Sequence, residues 1–137
     1  MTEIAGKAHE FTIRVYWEDT DAGGIVYHAN YLNFMERGRT EMLRDLGLGQ
    51  GALQARDGLT FVVRRMDLVF DRPAVLDDLL VVETFVAEIG GASMTLGQRV
   101  LKDGAVLASA TVVIVAIAEG KAKRIPADIR SLFLGDE

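Results

Sequence analysis

Glu18-Asp19-Thr20-Asp21-Ala22-Gly23-Gly24-Ile25-Val26-Tyr27-His28-Ala29-Asn30-Tyr31 brings two acids, a double glycine and a histidine to the threshold of a helical pattern. Its two flanks decide the fold. Upstream, from Glu10 to Trp17, Phe11, Ile13, Val15 and Trp17 alternate with Thr12, Arg14 and Tyr16. A period of two predicts a strand with one buried face. Downstream, from Ala29 to Leu46, the apolar residues Tyr31, Phe34, Met35, Met42, Leu43 and Leu46 recur at three- and four-residue spacings around small Gly38. That pattern predicts one amphipathic helix about 27 Å long. Glu36, Arg37, Arg39, Glu41 and Arg44 occupy its other side, and Gly47 and Gly49 follow as helix-closing residues.

Beyond the helix the chain reads as strands. After a connection through Gly58, the run Leu59 to Arg72 alternates, and Pro73 ends regular pairing or marks a sheet edge because it has no N–H to donate. Asp77-Asp78 makes a polar corner before a strand from Leu79 to Ile89, and Gly90-Gly91 breaks the next boundary. Met94 to Lys102 leads into Asp103-Gly104, a dipeptide suited to a type I′ hairpin turn. Ala105 to Ala118 is apolar at successive positions, which predicts a central strand covered on both sides. A charged corner, Glu119 to Arg124, precedes Pro126 and a final helix, Ala127 to Phe133. The order is α+β: an antiparallel sheet of about five strands must curl around one long helix to bury its apolar stripe. Exposed edges of such a sheet are usually covered by pairing subunits.

Composition narrows the function classes. The 137 residues, half of them hydrophobic, suit one domain spanning residues 1–137. Fifteen Lys and Arg against 20 Asp and Glu give a net charge of −5, which argues against nucleic acid as the partner. Without cysteine there is neither a disulfide framework nor a thiolate site, and with only His9 and His28 a histidine metal cluster is not expected. Met1 to Lys7 carries no signal or transit pattern, and the longest apolar run falls short of a transmembrane helix, so a cytoplasmic location is expected.

The opening stretch carries the chemistry. A carboxylate can attack a carbonyl or activate water, the free amides expected near Tyr27 and His28 at the helix start can polarise the carbonyl oxygen, and glycines admit a ligand where a Cβ would collide. Asp19 is read as a cap that fixes the loop, Asp21 as the reactive acid.

From Arg14 through Tyr31, and on through Phe34-Met35-Glu36-Arg37-Gly38-Arg39-Thr40-Glu41-Met42-Leu43, the sequence closely resembles hotdog-fold acyl-CoA thioesterases. The branch is that of 4-hydroxybenzoyl-CoA thioesterase, and within it the YbgC-like, Tol-Pal-associated subgroup. The resemblance continues through Phe61 to Met66, Pro73-Ala74, Leu76-Asp77-Asp78 and Gln98-Arg99. Its Asp-x-Asp-x-x-Gly-x-Val signature falls on Asp19, Asp21, Gly24 and Val26, with Asp21 as the catalytic aspartate. The resemblance implies hydrolysis of an acyl-CoA thioester to acid and CoA, without metal or organic cofactor, in a homodimer or homotetramer with active sites between subunits. Association with the Tol-Pal machinery rests on the subgroup alone.

The site residues follow. Asp21 acts as nucleophile or general base, His28 through its ring or its amide, and Gly23, Gly24 and Tyr27 contact substrate. Phe61, Val62 and Val63 are candidates for an acyl tunnel. Arg64 and Arg65 are expected on opposite strand faces, so at most one of them, taken as Arg64, is expected to meet a CoA phosphate. The helix dipole favours a charged carboxylate, which suits a nucleophile forming a mixed anhydride. A non-catalytic acyl-binding module and a hotdog hydratase or dehydratase are the competing readings.

Overall fold

In a computed structural model, residues 8–135 are described; the expectation for Met1 to Lys7 lies outside them. Strand β1 spans His9–Arg14, α1 Asn30–Asp45, α2 Gln50–Asp57, β2 Thr60–Phe70, β3 Leu79–Ile89, β4 Ser93–Lys102, β5 Ala105–Ala118, β6 Lys121–Ala122 and α3 Ala127–Leu134. The sheet is antiparallel in the order β1-β3-β4-β5-β2, with two-residue β6 pairing with the end of β5.

Helix α1 lies against β1, β3 and β4 and turns Tyr31, Phe34, Met35, Gly38, Met42 and Leu43 inward. Phe34 and Met35 are fully buried, each worth roughly 1.5–3 kcal/mol in removed apolar surface. Gly38 sets the closeness of the contact, since a Cβ there would stand 2.6 Å from Val82 Cγ1. Beneath it, buried Gln98 donates to the Met35 carbonyl and to Thr84 Oγ1, both at 2.9 Å, and accepts from Arg39. The polar groups left where helix meets sheet thus find partners.

The Asp103-Gly104 turn has positive φ at both positions, 49° and 82°, as a type I′ hairpin requires. Three expectations change. The first strand stops at Arg14, and Trp17–Asp19 forms a single 3-10 turn that swings the chain toward α1. The connection through Gly58 contains helix α2, which buries only Leu53 and ends on left-handed Gly58. Strand β5 is interior but not central, because β4 occupies the middle and β5 borders the edge strand β2. Nor is β5 sealed on both faces: Ala108, Ala110, Val112, Ile114 and Ala116 are buried, whereas Ser109, Thr111, Val113, Val115 and Ile117 are half-buried.

Candidate active site

The loop from Thr20 to Ala29 joins the 3-10 turn to α1. A tight turn opens it: Asp21 N–H donates to the Ile25 carbonyl and Gly24 N–H to the Asp21 carbonyl. The Gly23 amide donates to Asp21 Oδ1 at 2.8 Å, which holds the carboxylate over its own turn. Each glycine has its reason. A Cβ on Gly23 would stand 3.1 Å from Asp21 Oδ1, and Gly24 has φ +81°. Both Asp21 and His28 remain exposed within one protomer.

The loop leans on a second segment. Val26 N–H donates to the Ala74 carbonyl, Ile25 bridges to Val75, and the Tyr31 hydroxyl accepts from the Ala74 amide at 3.0 Å. Burial raises the Tyr31 pKa, the Ala74 amide opposes this, and the Asp78 charge adds to it, so the phenol stays protonated. Behind Ala74, Asp78 accepts from the Val75 amide and from Lys102. Burial alone would raise the Asp78 carboxyl, but these hydrogen bonds and the Lys102 charge outweigh it and hold it below the usual carboxylate range.

The donors at the start of α1 differ from those expected. Tyr27 N–H already donates to the Asp19 carbonyl at 2.9 Å, so its amide does not face a ligand. Among the described residues, the amides of His28 and Ala29 have no acceptor, and they stand at the positive end of α1. The His28 ring packs beside Tyr27 at 4.7 Å and against the edge of Phe70 at 6.2 Å, and Phe70 in turn meets Tyr31 at 5.5 Å. The His28, Tyr31 and Phe70 rings, with Ile25, Val26, Asp71, Arg72 and Pro73, line a cleft of about 260 Å³. Sequence reasoning missed Phe70 as a site residue. The one available signal was an apolar residue at a strand end three positions before Pro73.

Asp21, Gly23 and Gly24 share one tight turn, and His28 follows on the same loop beside the cleft; the β2 candidates do not join them within one chain. Cross-strand partners share a sheet face, so Phe61 and Val63, opposite buried Ala116 and Ile114, face the helix side, and Val62, opposite Val115, faces away. Arg64 sits at the register shift between Val63 and Arg65 and is exposed. Phe61 and Val63 precede Phe70 by nine and seven positions, about 23–30 Å along an extended strand. Among the described residues no three His, Cys, Asp or Glu side chains are grouped to hold a metal, and no helix is long and apolar enough to cross a membrane.

Residues 15–133 match the family profile of the thioesterase-like superfamily. The acyl-CoA thioesterase YbgC of Haemophilus influenzae is 45% identical over 125 residues, which cover 90% of this chain and 92% of that protein. The crystal structure of a probable thioesterase from Bartonella henselae superposes with a TM-score of 0.84 at 44% identity, covering 87% of this chain and 99% of that one. At 22% identity, 4-hydroxybenzoyl-CoA thioesterase from Pseudomonas sp. strain CBS-3 shares the fold, with a TM-score of 0.86 over 93% of this chain and 99% of its own. The chain belongs to the thioesterase-like superfamily, and its antiparallel sheet around α1 is the hotdog fold.

Proposed function

We propose that this protein hydrolyses acyl-CoA thioesters to the free acid and CoA, in the cytoplasm and without metal or organic cofactor. One observation carries the reading: the Asp21 carboxylate is held by the Gly23 amide on the same short loop that presents the free amides of His28 and Ala29. Thioester hydrolysis needs this pair, an oxygen nucleophile or base and preorganised donors for the carbonyl oxygen as it gains charge. The names of the 45%-identical relatives support the same substrate class.

The chemical step follows from these parts. An Asp21 oxygen attacks the thioester carbon, the carbonyl oxygen takes negative charge against the His28 amide, and the C–S bond breaks to release CoA. Water then hydrolyses the acyl-aspartyl anhydride. Steady-state hydrolysis of an acyl-CoA panel, read by thiol release, tests the assignment. Asp21→Asn is expected to lose nearly all turnover; unchanged turnover overturns it. Borohydride quenching during turnover separates nucleophile from base: reduction of Asp21 to homoserine is expected, and unmodified Asp21 throughout favours base-activated water.

The working unit is a homodimer paired through β2. This strand is a sheet edge of 11 residues exposing Val62, Val63, Val69 and Phe70, and such an edge invites another strand. Antiparallel pairing about a two-fold axis brings the partner's Phe61 to Arg64 beside the Phe70 end, where His28 lies. That would reunite the tunnel and phosphate candidates with Asp21. Light scattering is expected to give twice the chain mass for wild type, and Val63→Pro is expected to give monomers with little activity; an active monomer would refute the shared site.

A further inference from the structure

Asp19 is 6% exposed, the one buried carboxylate among the described residues. Its Oδ2 accepts from the Tyr16 amide at 2.8 Å, and its Oδ1 accepts from Asn30 Nδ2. Tyr16 lies where the chain leaves β1, and Asn30 is the first residue of α1. One side chain therefore joins the entry of the catalytic loop to its exit. The orientation of the Asn30 amide is fixed from the other end, because its Oδ1 accepts from Asn33 Nδ2 at 3.0 Å. The Asp19 backbone adds a third tie by accepting from Tyr27 N–H.

The spacing gives this clamp its meaning. Asp19 stands two residues before Asp21, and Asn30 two residues after His28. The clamp therefore closes the loop just outside the two groups that must face one carbonyl. Both Asp19 oxygens accept from donors, a pattern that an amide in their place cannot satisfy.

We propose that Asp19 and Asn30 are positioning residues that set the separation of the Asp21 carboxylate from the His28 amide, and so determine kcat while leaving substrate affinity unaltered. This rests on the hydrolase reading above. In Asp19→Asn the new NH₂ must face either the Tyr16 N–H or the Asn30 NH₂; in Asn30→Asp two carboxylates confront each other. Misplacement of reacting groups by an ångström lowers rates about 100-fold. Each single variant is thus expected to lose about 100-fold in kcat with KM within about twofold of wild type. The exchange Asp19→Asn with Asn30→Asp restores one donor facing one acceptor, and kcat is expected to recover to within about tenfold of wild type.

Amide hydrogen exchange reads the clamp without turnover: the Tyr27 amide is expected to be protected in wild type and in the exchanged pair, and to exchange faster in each single variant. Should Asp19→Asn fail to fold, Asn30→Ala, at a half-buried position, removes the donor alone and is expected to show the same fall in kcat. Wild-type kcat in Asn30→Ala, or an exchanged pair as impaired as the single variants while still folded, overturns the proposal. Inactivity of the wild-type protein toward every acyl-CoA would instead strike the hydrolase reading, and the exchange data would still decide the clamp.

Discussion

Two sharp turns in this molecule are built from the same residues and do different work. Asp103-Gly104 closes the β4–β5 hairpin with positive φ at both residues, and the flanking ladder from Lys102–Ala105 onward holds it. Asp21 to Gly24 also pairs an aspartate with a left-handed glycine, but no long ladder holds it. Its supports are the Asp19–Asn30 clamp, the Val26–Ala74 hydrogen bond and the Ile25–Val75 bridge. In the hairpin the aspartate side chain is incidental to the turn. In the loop it is held over the turn by Gly23 and left exposed, as the proposed attack on a thioester requires. The two already differ locally, since Asp103 has positive φ and Asp21 does not, and what surrounds each turn separates them further.

The same substitution at both turns gives the sharpest contrast. Asp21→Asn removes the proposed nucleophile and is expected to lower kcat by at least about 100-fold, no less than the loss of a general acid–base group, while Asp103→Asn leaves kcat unchanged because Asn also tolerates positive φ. Equal losses in parallel thiol-release assays would erase the distinction. Next in size is alanine at the two glycines. A Cβ at Gly24 or Gly104 meets nothing within 4 Å, so only the left-handed backbone penalises the change, at about 1–2 kcal/mol in each case. Matched denaturant titrations should show similar destabilisation, with kcat reduced only in Gly24→Ala.

The smallest effect concerns the ion pair that links the two regions. Lys102, beside the hairpin turn, meets Asp78 at 2.8 Å, and Asp78 anchors the corner on which the Thr20 to Ala29 loop leans. Because the folded state holds the Asp78 carboxyl below its usual range, its stabilisation is present above the unfolded carboxyl's pKa and is lost as pH falls through the depressed folded value. Asp78→Asn should therefore lower Tm modestly at neutral pH, and the gap from wild type should close on acidification. A gap that persists or widens in acid would contradict the pairing.

Much of the fold was legible because its signals are local. Strands Leu79–Ile89 and Ala105–Ala118 end where glycines or acids interrupt apolar runs, and α1 follows a long 3.6-residue period. Helix α2 was missed because Leu53 is its one buried residue and two turns give no period to detect. The apolar run of β5 was over-read: side chains alternate across a strand, and only one face meets the core. In the loop before α1, the turn at Asp21, Gly23 and Gly24 could be read directly, but the state of the Tyr27 amide could not. Whether a backbone N–H is free depends on which carbonyl folds over it, here that of Asp19.

By itself the sequence determined the order of strands and helices, the Asp103-Gly104 hairpin, the long helix and the acid-glycine loop before it. These depend on periodicity and on φ preferences carried by residues close together in the chain. Tertiary structure alone decided that β2 is an edge strand, that Phe70 walls the His28 cleft, that the free amides are those of His28 and Ala29, and that a buried Asp19 joins both ends of the loop. Those outcomes turn on burial and on hydrogen bonds between segments distant in the chain, which no local pattern encodes.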